Sequence, residues 1–588
     1  MENVKITIDG KIVEVPKDYT VLKACKLAGI RVPTLCYLEG VNEIGACRMC
    51  LVEIEKVRGL QASCVYPVNE GMVVHTNTPE IRQTRKVNLE LILSNHNREC
   101  TMCMRNENCE LQTLSKELNI KEIPYEGEKT ASTIDQVSPS IVRDNSKCIL
   151  CRRCISACKN IQKVSAIQAT KRGFKTEIGV GFGRSISDFN CINCGQCIQA
   201  CPVGALYEKS NLETVWKALD DKDKMVIVQT APAVRAGLGE EFGFPIGTRV
   251  TGKMVTALKL LGFDKVVDTN TGADLTIMEE GFELIGRIKE GKGKLPVITS
   301  CCPGWIKECE HEYPDLLENL SSCKSPHQML GAIVKSFYAQ KMKIDPTKIF
   351  TVSVMPCTAK KYEMERPEME HADLRDVDAV ITSRELAMMV KEAGIDFMTL
   401  EDSKYDDPLG EATGAGAVFG TTGGVTEAAL RTVAEVLTGQ KVDEIEYNQV
   451  RGDKGIKEYE VQIGDLKLKG VVISGVGNVK PILDKVRKGE SEYQFIEVMA
   501  CEGGCIMGGG QPRVHAKTKE KVNVFAQRAR AIYDEDQKME YRRSHENPFI
   551  KKLYEEFLEK PNSHVAHELL HTGYKKRDKY PNECDKKM

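Results

Sequence analysis

The chain has 588 residues, of which 41% are hydrophobic and 28% are charged, and its formal net charge is −2. This length exceeds what one hydrophobic core supports and predicts about three to five domains. The balanced charge excludes a whole-chain electrostatic case for nucleic acid or a membrane surface. The first residues lack an apolar signal segment, and no window approaches the roughly 20 apolar residues of a membrane span.

Cysteine is the unusual component, with 24 residues, sixteen of which lie between Cys25 and Cys201. In a reducing compartment this content indicates metal sites rather than disulfides, and we expect a cytoplasmic protein. Along the chain, an alternating strand pattern around one helix gives way to a helical segment, a polar connector over 121–145 and a cysteine-rich repeat. Strands then alternate with helices, as in α/β architecture. The predicted domains are 1–78, 79–125, 138–212 and 222–570, followed by a charged tail at 571–588.

Two cysteine runs predict a pair of 4Fe-4S clusters. Each run has the spacing C-x2-C-x2-C-x3-C, and Pro202 follows the second. The pattern is typical of two-cluster ferredoxins, in which each cluster takes three cysteines from one run and the fourth from the other. Soft thiolates favour iron–sulfur clusters over the alternatives of zinc or disulfides. The eight predicted ligands are Cys148, Cys151, Cys154, Cys158, Cys191, Cys194, Cys197 and Cys201.

Two further ligand sets precede these runs. The first lies in the β-rich region and resembles a plant-type 2Fe-2S ferredoxin, although its spacing differs and zinc is the alternative. The second combines one histidine with three cysteines and predicts a 4Fe-4S cluster; a neutral imidazole makes such a site less negative and favours its reduced state. Together they resemble the front end of the large iron–sulfur subunit of respiratory complex I. The predicted ligands are Cys36, Cys47, Cys50 and Cys64, then His96, Cys100, Cys103 and Cys109.

Three motifs in the last two-thirds of the chain directly follow predicted strands. They are TSCCPGW at 299–305, MPCTAKKYE at 355–363 and EVMACEGGC at 497–505. Because α/β sheets place ligands beyond the carboxyl ends of their strands, we expect four or five cysteines to converge on one pocket. A buried, cysteine-lined pocket with one lysine indicates a metal cluster with an anionic ligand. Spacing alone does not say which cluster.

These motifs resemble the active-site domain of the FeFe-hydrogenase family, and the resemblance covers essentially residues 1–570. It implies a multidomain α+β and α/β fold: a β-grasp 2Fe-2S domain, a short helical one-His three-Cys domain, a two-4Fe-4S ferredoxin domain and a two-lobed α/β hydrogenase domain. It also implies an anaerobic oxidoreductase that interconverts dihydrogen with protons and electrons. The implied cofactors are one 2Fe-2S cluster, three accessory 4Fe-4S clusters and an H-cluster.

The resemblance also implies the ligands of the H-cluster, which is a 4Fe-4S cube joined to a diiron subsite carrying CO, cyanide and azadithiolate. Cys505 would bridge the two parts, and Lys360 would pair with a cyanide because a buried ammonium needs an anionic partner. Without the family, core packing would be the better interpretation of the neighbouring apolar side chains. The cube ligands are Cys302, Cys357, Cys501 and Cys505. The side chains at the diiron subsite are Met355, Met499 and Pro232.

A proton relay is implied as well, beginning at Cys301, the spare thiol beside a cube ligand. Groups that carry protons across a dry shell must form hydrogen bonds and exchange protons. The two glutamates of the relay lie three residues apart on one face of a predicted helix, and a solvated helix face is the alternative interpretation. From the pocket to a position near the surface, the relay residues are Glu280, Ser321, Glu283 and Arg287.

Two positions depart from the pattern of the family. Ala233 stands where serine is frequent and removes a hydroxyl donor; His327 stands where glutamine is frequent and could restore a donor or make the site pH-sensitive. We interpret Cys309 and Cys323 as structural and Cys584 as exposed.

The expected electron partners are ferredoxin, an NAD(P)-linked flavoprotein subunit, or both, and the family also needs maturation proteins. NAD(P) itself should not bind this chain, since the sequence has no GxGxxG strand–turn–helix unit. Iron–sulfur assembly factors share this scaffold, and a redox sensor could retain the cluster. The intact Cys301, Lys360 and the pair Cys501 and Cys505 favour catalysis over both alternatives.

Overall fold

The structure is a computed structural model that describes residues 2–130, 132–443 and 445–580. Cys584 and the end of the predicted tail lie outside the described residues. Within them, no helix has the length and apolar content needed to cross a membrane.

The N-terminal unit is a five-stranded sheet with one helix packed on it, in the strand order β2-β1-β5-β3-β4. Its β1 pairs antiparallel with β2 and parallel with β5. The side chain of Thr20 accepts from the backbone of Lys23 and starts the helix. Cys25 on this helix is fully buried in the core, as predicted. The elements are β1 Asn3–Ile8, β2 Lys11–Pro16, α1 Val21–Leu27, β3 Leu51–Ile54, β4 Gln61–Ala62 and β5 Val73–His75.

The middle region begins with a long helix capped by Thr78, with Pro79 in its first turn. The predicted connector over 121–145 is only partly irregular, because two short strands within it pair with each other and the second of them also pairs with a strand that follows the second cysteine run. The elements are α2 Pro79–Asn95, α3 Glu110–Glu117, β6 Ile134–Asp135, β7 Ile141–Asp144, α4 Arg153–Ser156, β8 Gln168–Thr170, β9 Glu177–Gly179, α5 Gln196–Ala200, β10 Leu206–Glu208 and α6 Leu212–Asp220.

The first lobe of the α/β region is built on a parallel sheet in the order β12-β11-β14-β17. Its longest helix, α9, begins at the Asp268 side-chain cap and ends at Gly291 in the left-handed conformation. In chain order, the elements from 225 to 392, of which β13 belongs to the sheet of the second lobe, are β11 Met225–Thr230, α7 Val234–Gly237, α8 Thr251–Leu260, β12 Lys265–Asp268, α9 Thr269–Glu290, β13 Val297–Ile298, α10 Pro303–Glu312, α11 Pro326–Ile333, α12 Ala339–Met342, β14 Ile349–Met355, α13 Ala359–Glu363, β15 Glu370–His371, β16 Leu374–Arg375, β17 Ala379–Thr382 and α14 Ser383–Glu392.

The second lobe contains a sheet in the order β13-β20-β19-β18, in which β13, β20 and β19 are parallel and β18 is antiparallel to β19. The two sheets give the two-lobed arrangement that was expected. The remaining elements are α15 Gly414–Val418, α16 Gly424–Thr438, β18 Ile456–Ile463, β19 Leu466–Ser474, α17 Lys480–Arg487, β20 Phe495–Met499, α18 Ala516–Lys519, α19 Val524–Lys538, α20 Pro548–Leu553 and α21 His564–Leu570.

One hydrophobic core cluster crosses the predicted domain boundaries. It contains Leu89 of α2 and Ile198 of α5 together with Trp305 of α10 and Val498 of β20. The cysteine-rich region therefore shares buried apolar packing with the second lobe and holds its cluster sites in a fixed position against it.

Candidate functional site

Four cysteines meet where three strands of the two lobes end. Cys302 follows β13 and precedes α10, Cys357 follows β14, and Cys501 and Cys505 follow β20. Burial is the main cause that raises the pKa of Cys357 to about 11, and the neighbouring Cys302 thiol adds to it. The pKa of Cys501 is also raised by burial and then by Cys194, Cys357 and Cys302, so these thiols face one enclosed space.

Glycines allow the loop after β20 to close over this space. A Cβ atom at Gly508 would lie 2.2 Å from the carbonyl oxygen of Pro356, and one at Gly510 would lie 2.8 Å from the backbone nitrogen of Cys357. Gly504 has φ of +83°, a conformation that favours glycine. Four convergent thiols beneath a glycine-lined loop suit a 4Fe-4S cube, which needs one soft ligand at each of four corners.

A line of polar groups leads away from the pocket. Burial, followed by the nearby Glu280 carboxylate, raises the pKa of the Cys301 thiol well above its usual range. Glu280 is 2% exposed, and burial followed by repulsion from Glu283 raises its pKa to about 8. Its oxygens have no hydrogen-bond partner among the described side chains and backbone groups, although Ser321 is close enough to offset part of the shift. A protonated carboxyl at neutral pH therefore stands between Cys301 and Ser321.

The outer half of this line is hydrogen-bonded. The hydroxyl of Ser321 donates to Glu283 Oε2 at 2.8 Å, and the Arg287 guanidinium donates to Glu283 Oε1 at 2.5 Å. Arg287, predicted near the surface at the outer end of the relay, is 8% exposed. Its guanidinium also donates to the carbonyls of Lys294, in the loop after α9, and Leu320, in the segment before α11.

Lys360 lies under the pocket in a buried polar cluster. Its ammonium donates to Glu363 Oε2 at 2.8 Å and to the Cys301 carbonyl at 3.1 Å. Glu363 also accepts from Ser325 at 2.9 Å and lies 2.5 Å from Nε2 of His327. Despite burial, the pKa of Glu363 is lowered to about 2, first by the Lys360 cation and then by its hydrogen bond to His327. Glu363 ends the MPCTAKKYE motif, but its role as the partner of Lys360 was not predicted. The i,i+3 spacing of the two residues could have indicated the pair.

The side chains predicted at the diiron subsite are buried near the same strand ends. Met355 and Met499 are each 2% exposed and end β14 and β20, and Pro232 follows β11. Ala233 is fully buried, and its carbonyl accepts from Nε2 of Gln511 at 2.7 Å. Gln511 thus ties the first lobe to the loop after β20, a contact that its sequence position did not signal.

The 2Fe-2S candidate cysteines form a compact set in the N-terminal unit. Sγ of Cys50 and Sγ of Cys64 lie 3.2 Å apart, and Sγ of Cys47 accepts from the backbone of Cys36 at 3.3 Å. Backbone N–H groups aimed at sulfur stabilise thiolates that ligate iron. The loop that carries Cys47 turns at Gly45, which has φ of +64°.

The one-His three-Cys set lines a cavity of about 340 Å³ with Leu93 and Ile120 among its apolar walls. Nδ1 of His96 is buried and has no hydrogen-bond partner among the described residues. Burial lowers the pKa of His96 to about 4 and keeps the ring neutral, as a metal ligand must be. The four ligand candidates on this cavity are His96, Cys100, Cys103 and Cys109.

The eight ferredoxin-type cysteines divide into two crossed groups. Each cavity is lined by three thiols from one run and one thiol from the other. Among the described residues, no three Cys, His, Asp or Glu side chains meet closely enough to hold a single ion. The thiols instead surround a space, as ligands to separate corners of a cluster do. The first cavity has Cys148, Cys151, Cys154 and Cys201. The second cavity has Cys158, Cys191, Cys194 and Cys197.

Close contacts connect these sites in series. Nδ2 of Asn42 donates to the carbonyls of both Cys36 and Cys151, and links the N-terminal cysteine loop to the first crossed group. A Cβ atom at Gly509 would lie 2.2 Å from the carbonyl oxygen of Cys194, so the second crossed group touches the loop over the four-thiol pocket. Gln196 reinforces this seam by donating to the Met507 carbonyl at 3.0 Å.

A buried arginine joins three of the predicted domains. Arg153 is 1% exposed and forms a two-pronged pair with Glu110 at 3.0 and 2.9 Å. It also donates to the carbonyls of Cys36 and Tyr37 in the N-terminal unit. Glu110 in turn accepts from the backbone of Ala516, so the junction reaches the start of α18. Neither residue was singled out in the sequence, because their partners lie far away along the chain.

The family models that match the chain agree with this layout. The one for the iron-only hydrogenase large subunit, C-terminal domain, covers 224–509 and the one for the iron hydrogenase small subunit covers 522–577. Three others are a 2Fe-2S iron-sulfur cluster binding domain at 1–79, an NADH-ubiquinone oxidoreductase-G iron-sulfur binding region at 85–124 and a 4Fe-4S dicluster domain at 147–205.

Two curated relatives match along their whole length. The NADP-reducing hydrogenase subunit HndD of Solidesulfovibrio fructosivorans is 48% identical and is fully covered by 98% of this chain. Iron hydrogenase 1 of Clostridium pasteurianum is 45% identical and is fully covered by 97% of this chain. A solved structure of apo [FeFe]-hydrogenase HydA1 from Chlamydomonas reinhardtii has a TM-score of 0.56 and 41% identity, covering 63% of this chain and 100% of that one.

The fold, the thiol-lined sites and the matching family models together define this chain as an iron–sulfur oxidoreductase. The chain belongs to the iron-only, or FeFe, hydrogenase family, and its enzymatic activity is on hydrogen. The predicted family, fold class and enzyme class are thus confirmed.

Proposed function

We propose that the chain catalyses the reversible reaction of two protons and two electrons to dihydrogen at an H-cluster. Its cube would be held by the four convergent thiols, and its diiron subsite, with CO, cyanide and azadithiolate, would be bridged to it by Cys505. The main support is the polar line that meets this pocket at Cys301 and continues through Glu280 to Glu283. A pocket that only stored a cluster would need no such line. The proposed cube ligands are Cys302, Cys357, Cys501 and Cys505.

When bound, the cluster supplies the two-electron chemistry of dihydrogen, and the protein supplies position, dryness and charge. The Lys360 ammonium has three N–H donors, of which two are used by Glu363 and the Cys301 carbonyl. The third has no partner among the residues that the structure describes and would bind an anionic ligand of the cluster. The proposed apolar wall that excludes water consists of Met355, Met499 and Pro232.

In proton transfer, each group of the relay donates its proton to the next group and accepts a proton from the group before it. Cys301 holds a proton at Sγ, and Glu280 holds one on its carboxyl group at neutral pH. Ser321 Oγ–H lies between Glu280 and Glu283, so it can pass its hydrogen to one carboxylate while it accepts one from the other. Arg287 positions Glu283 at the outer end through its hydrogen bond.

Electrons would reach the pocket through one 2Fe-2S cluster and three accessory 4Fe-4S clusters, one in each thiol-lined site described above. The predicted domain boundaries, at 1–78, 79–125, 138–212 and 222–570, remain part of this proposal. The contacts of Asn42 and Gly509 support an order of electron transfer in which one accessory cluster is the last before the catalytic cube. This is the cluster held by Cys158, Cys191, Cys194 and Cys197.

The partner is proposed to be an NAD(P)-linked flavoprotein subunit or ferredoxin. The name of HndD marks that relative as a subunit of an NADP-reducing hydrogenase, and this chain covers it completely. Maturation proteins would load the diiron subsite. We place the enzyme in the cytoplasm, because its many cysteines suit a reducing compartment.

Dihydrogen evolution from reduced methyl viologen, measured anaerobically on fully matured protein, tests the proposal. We expect Cys301→Ala to lower the rate by about 100-fold or more, as for loss of a general acid. Equal rates in both proteins would keep the hydrogenase and reject Cys301 as the first proton carrier. Absence of turnover, despite infrared bands of CO and cyanide on iron, would instead indicate a sensor.

A further inference from the structure

The connection that follows the first ferredoxin-type cysteine run is longer than its counterpart after the second run. One residue separates the second run from the sequence VGAL at 203–206, whereas five residues, KNIQK at 159–163, separate the first run from VSAI at 164–167. The longer connection begins in a π-helical turn, in which the backbone N–H of Gln162 donates to the carbonyl of Ala157 at 3.0 Å. Turns of this kind are rare and recur at functional sites. The first run therefore carries an insertion that the cysteine repeat alone does not require.

Gln162 lies in this insertion and lines the cavity of the second crossed group of thiols. It is 2% exposed, and neither Oε1 nor Nε2 of its side chain has a hydrogen-bond partner among the residues that the structure describes. The other glutamine on this cavity differs, since Nε2 of Gln196 donates to the Met507 carbonyl at 3.0 Å. An unpaired buried amide is destabilising, so the Gln162 side chain indicates a partner that is not part of the chain.

The surroundings of Gln162 favour the cluster as that partner. Besides the thiols, the wall of the cavity is largely apolar and includes Ile167 and Ile186. The insertion is also held from outside, because a Cβ atom at Gly477 would lie 2.0 Å from the carbonyl oxygen of Ile161, so the loop after β19 packs directly on it. A 4Fe-4S cluster in this cavity presents sulfur atoms to its surroundings, and these accept hydrogen bonds. The amide of Gln162 fits such a cluster as a donor that is already in place.

We propose that the side-chain N–H of Gln162 donates a hydrogen bond to a sulfur atom of the cluster held by Cys158, Cys191, Cys194 and Cys197, and raises the reduction potential of that cluster. This proposal rests on the accessory clusters of the proposed function. Reduction adds one negative charge, and a hydrogen bond to a more negative acceptor is stronger, so the amide stabilises the reduced cluster more than the oxidised one. The cluster takes up one electron, and the amide keeps its hydrogens. An electron is thereby retained beside the catalytic pocket, where each dihydrogen molecule requires two.

Gln162→Met tests the hydrogen bond, because methionine is an unbranched side chain without an N–H donor. In anaerobic redox titrations followed by electron paramagnetic resonance, the equilibrium constant for reduction of this cluster should fall about tenfold, which for one electron is a shift of about 59 mV to lower potential. The potentials of the other accessory clusters should stay unchanged. The titration uses the full chain purified without maturation proteins, since it depends on the thiol-held clusters alone. Cys158→Ser, which changes one ligand, identifies the signal of the cluster concerned.

The matched control is Gln168→Met in β8, where the glutamine is exposed and its replacement should leave every potential unchanged. Spin-echo spectroscopy of protein that carries nitrogen-15 in its glutamine side chains adds a second measurement. A nitrogen coupling to this cluster in the wild type should be lost in Gln162→Met. Iron content and circular dichroism verify cluster assembly and folding, and Gln162→Leu replaces Gln162→Met if the latter loses iron.

An unchanged potential in a variant that retains its iron would mean that a buried water satisfies the amide, and would overturn the proposal. An equal shift of every accessory cluster would overturn it as well, because it would show a general loosening of the fold. Absence of this cluster from the wild-type protein would be a different failure, since it would reject the proposed set of accessory clusters. Absence of dihydrogen turnover together with the expected shift would reject the proposed catalysis and support the hydrogen bond.

Discussion

Nε2 of His327 and Oε2 of Glu363 lie 2.5 Å apart, and both side chains are at most 3% exposed. The same carboxylate binds the Lys360 ammonium, so His327 acts on the pocket through Glu363. Burial, followed by the Lys360 cation, lowers the pKa of His327 to about 4. The ring is therefore neutral at neutral pH, and the expectation of a pH-sensitive site applies only to acid conditions.

His327→Gln should consequently leave the pH profile of dihydrogen evolution unchanged around neutrality. Stability should respond in acid. The unfolded ring binds a proton below its ordinary value of 6.5 and the native ring only below about 4, so wild-type stability falls as pH drops through that window. The loss is at most about 3 kcal/mol and should be absent from His327→Gln. Urea unfolding of both proteins at neutral and acid pH measures it, and an identical pH dependence would contradict the assignment.

Glu280→Gln should abolish proton passage with little effect on the fold. Because Glu280 already carries a proton at neutral pH, the neutral amide preserves charge and shape but cannot give up a proton to Ser321. Dihydrogen evolution should fall by about 100-fold or more at unchanged iron content. Glu290→Gln, at the exposed end of the same helix, is the matched control and should behave as wild type.

The same residue predicts an alkaline effect. The native pKa of Glu280, about 8, exceeds its ordinary value of 4.5, so the native state holds a proton that the unfolded state has lost between these values. Wild-type stability should decline through this range as pH rises, relative to Glu280→Gln. Parallel unfolding midpoints of the two proteins from mildly acid to alkaline pH would show that the raised value is wrong.

Gly509→Ala tests the seam between the last accessory cluster site and the catalytic pocket. A Cβ atom there would lie 2.2 Å from the Cys194 carbonyl oxygen and 2.7 Å from Cα of Gly195, and both neighbours are backbone. The loops must separate, so we expect lower thermal stability and slower electron exchange between the sites. Gly286→Ala is the matched substitution: it lies in α9 with no atom within 4 Å of a new Cβ and should stabilise the protein by about 0.5–1 kcal/mol. If Gly509→Ala and Gly286→Ala had similar effects on stability, close packing of the loop at Gly509 against Cys194 would be refuted.

Arg153→Met should destabilise the junction of the accessory domains by about 3–5 kcal/mol, because it leaves Glu110, whose side chain is only 14% exposed, without its cation. Adding Glu110→Gln should recover part of that loss, since the double variant contains no unpaired buried charge. Thermal unfolding and the electron paramagnetic resonance signal of the 2Fe-2S cluster report the result. A double variant less stable than Arg153→Met would show that the pair is not the main interaction.

Much of this architecture follows from local sequence. The strand-end position of Cys302, Cys357 and Cys501 could be predicted because a short apolar run and the cysteine after it are adjacent in the chain. The shared helix of Glu280 and Glu283 could be predicted for the same reason.

Contacts between segments that are distant in the sequence could not be predicted. His571 and Glu279 are 292 positions apart, Arg153 and Glu110 are 43 apart, and no spacing rule connects them. The partners of Arg287 outside the relay could not be predicted either, because they are backbone carbonyls, which every residue has.

The core cluster that continues from α2 and α5 into α10 and β20 limits how this enzyme can be shortened. A catalytic fragment cut out at the predicted boundary near residue 222 would expose apolar side chains on α10 and β20 and the unpartnered backbone around Gly509. It would be prone to aggregation unless that face were redesigned with polar residues. The region that carries electrons to the catalytic domain therefore also covers part of its apolar surface.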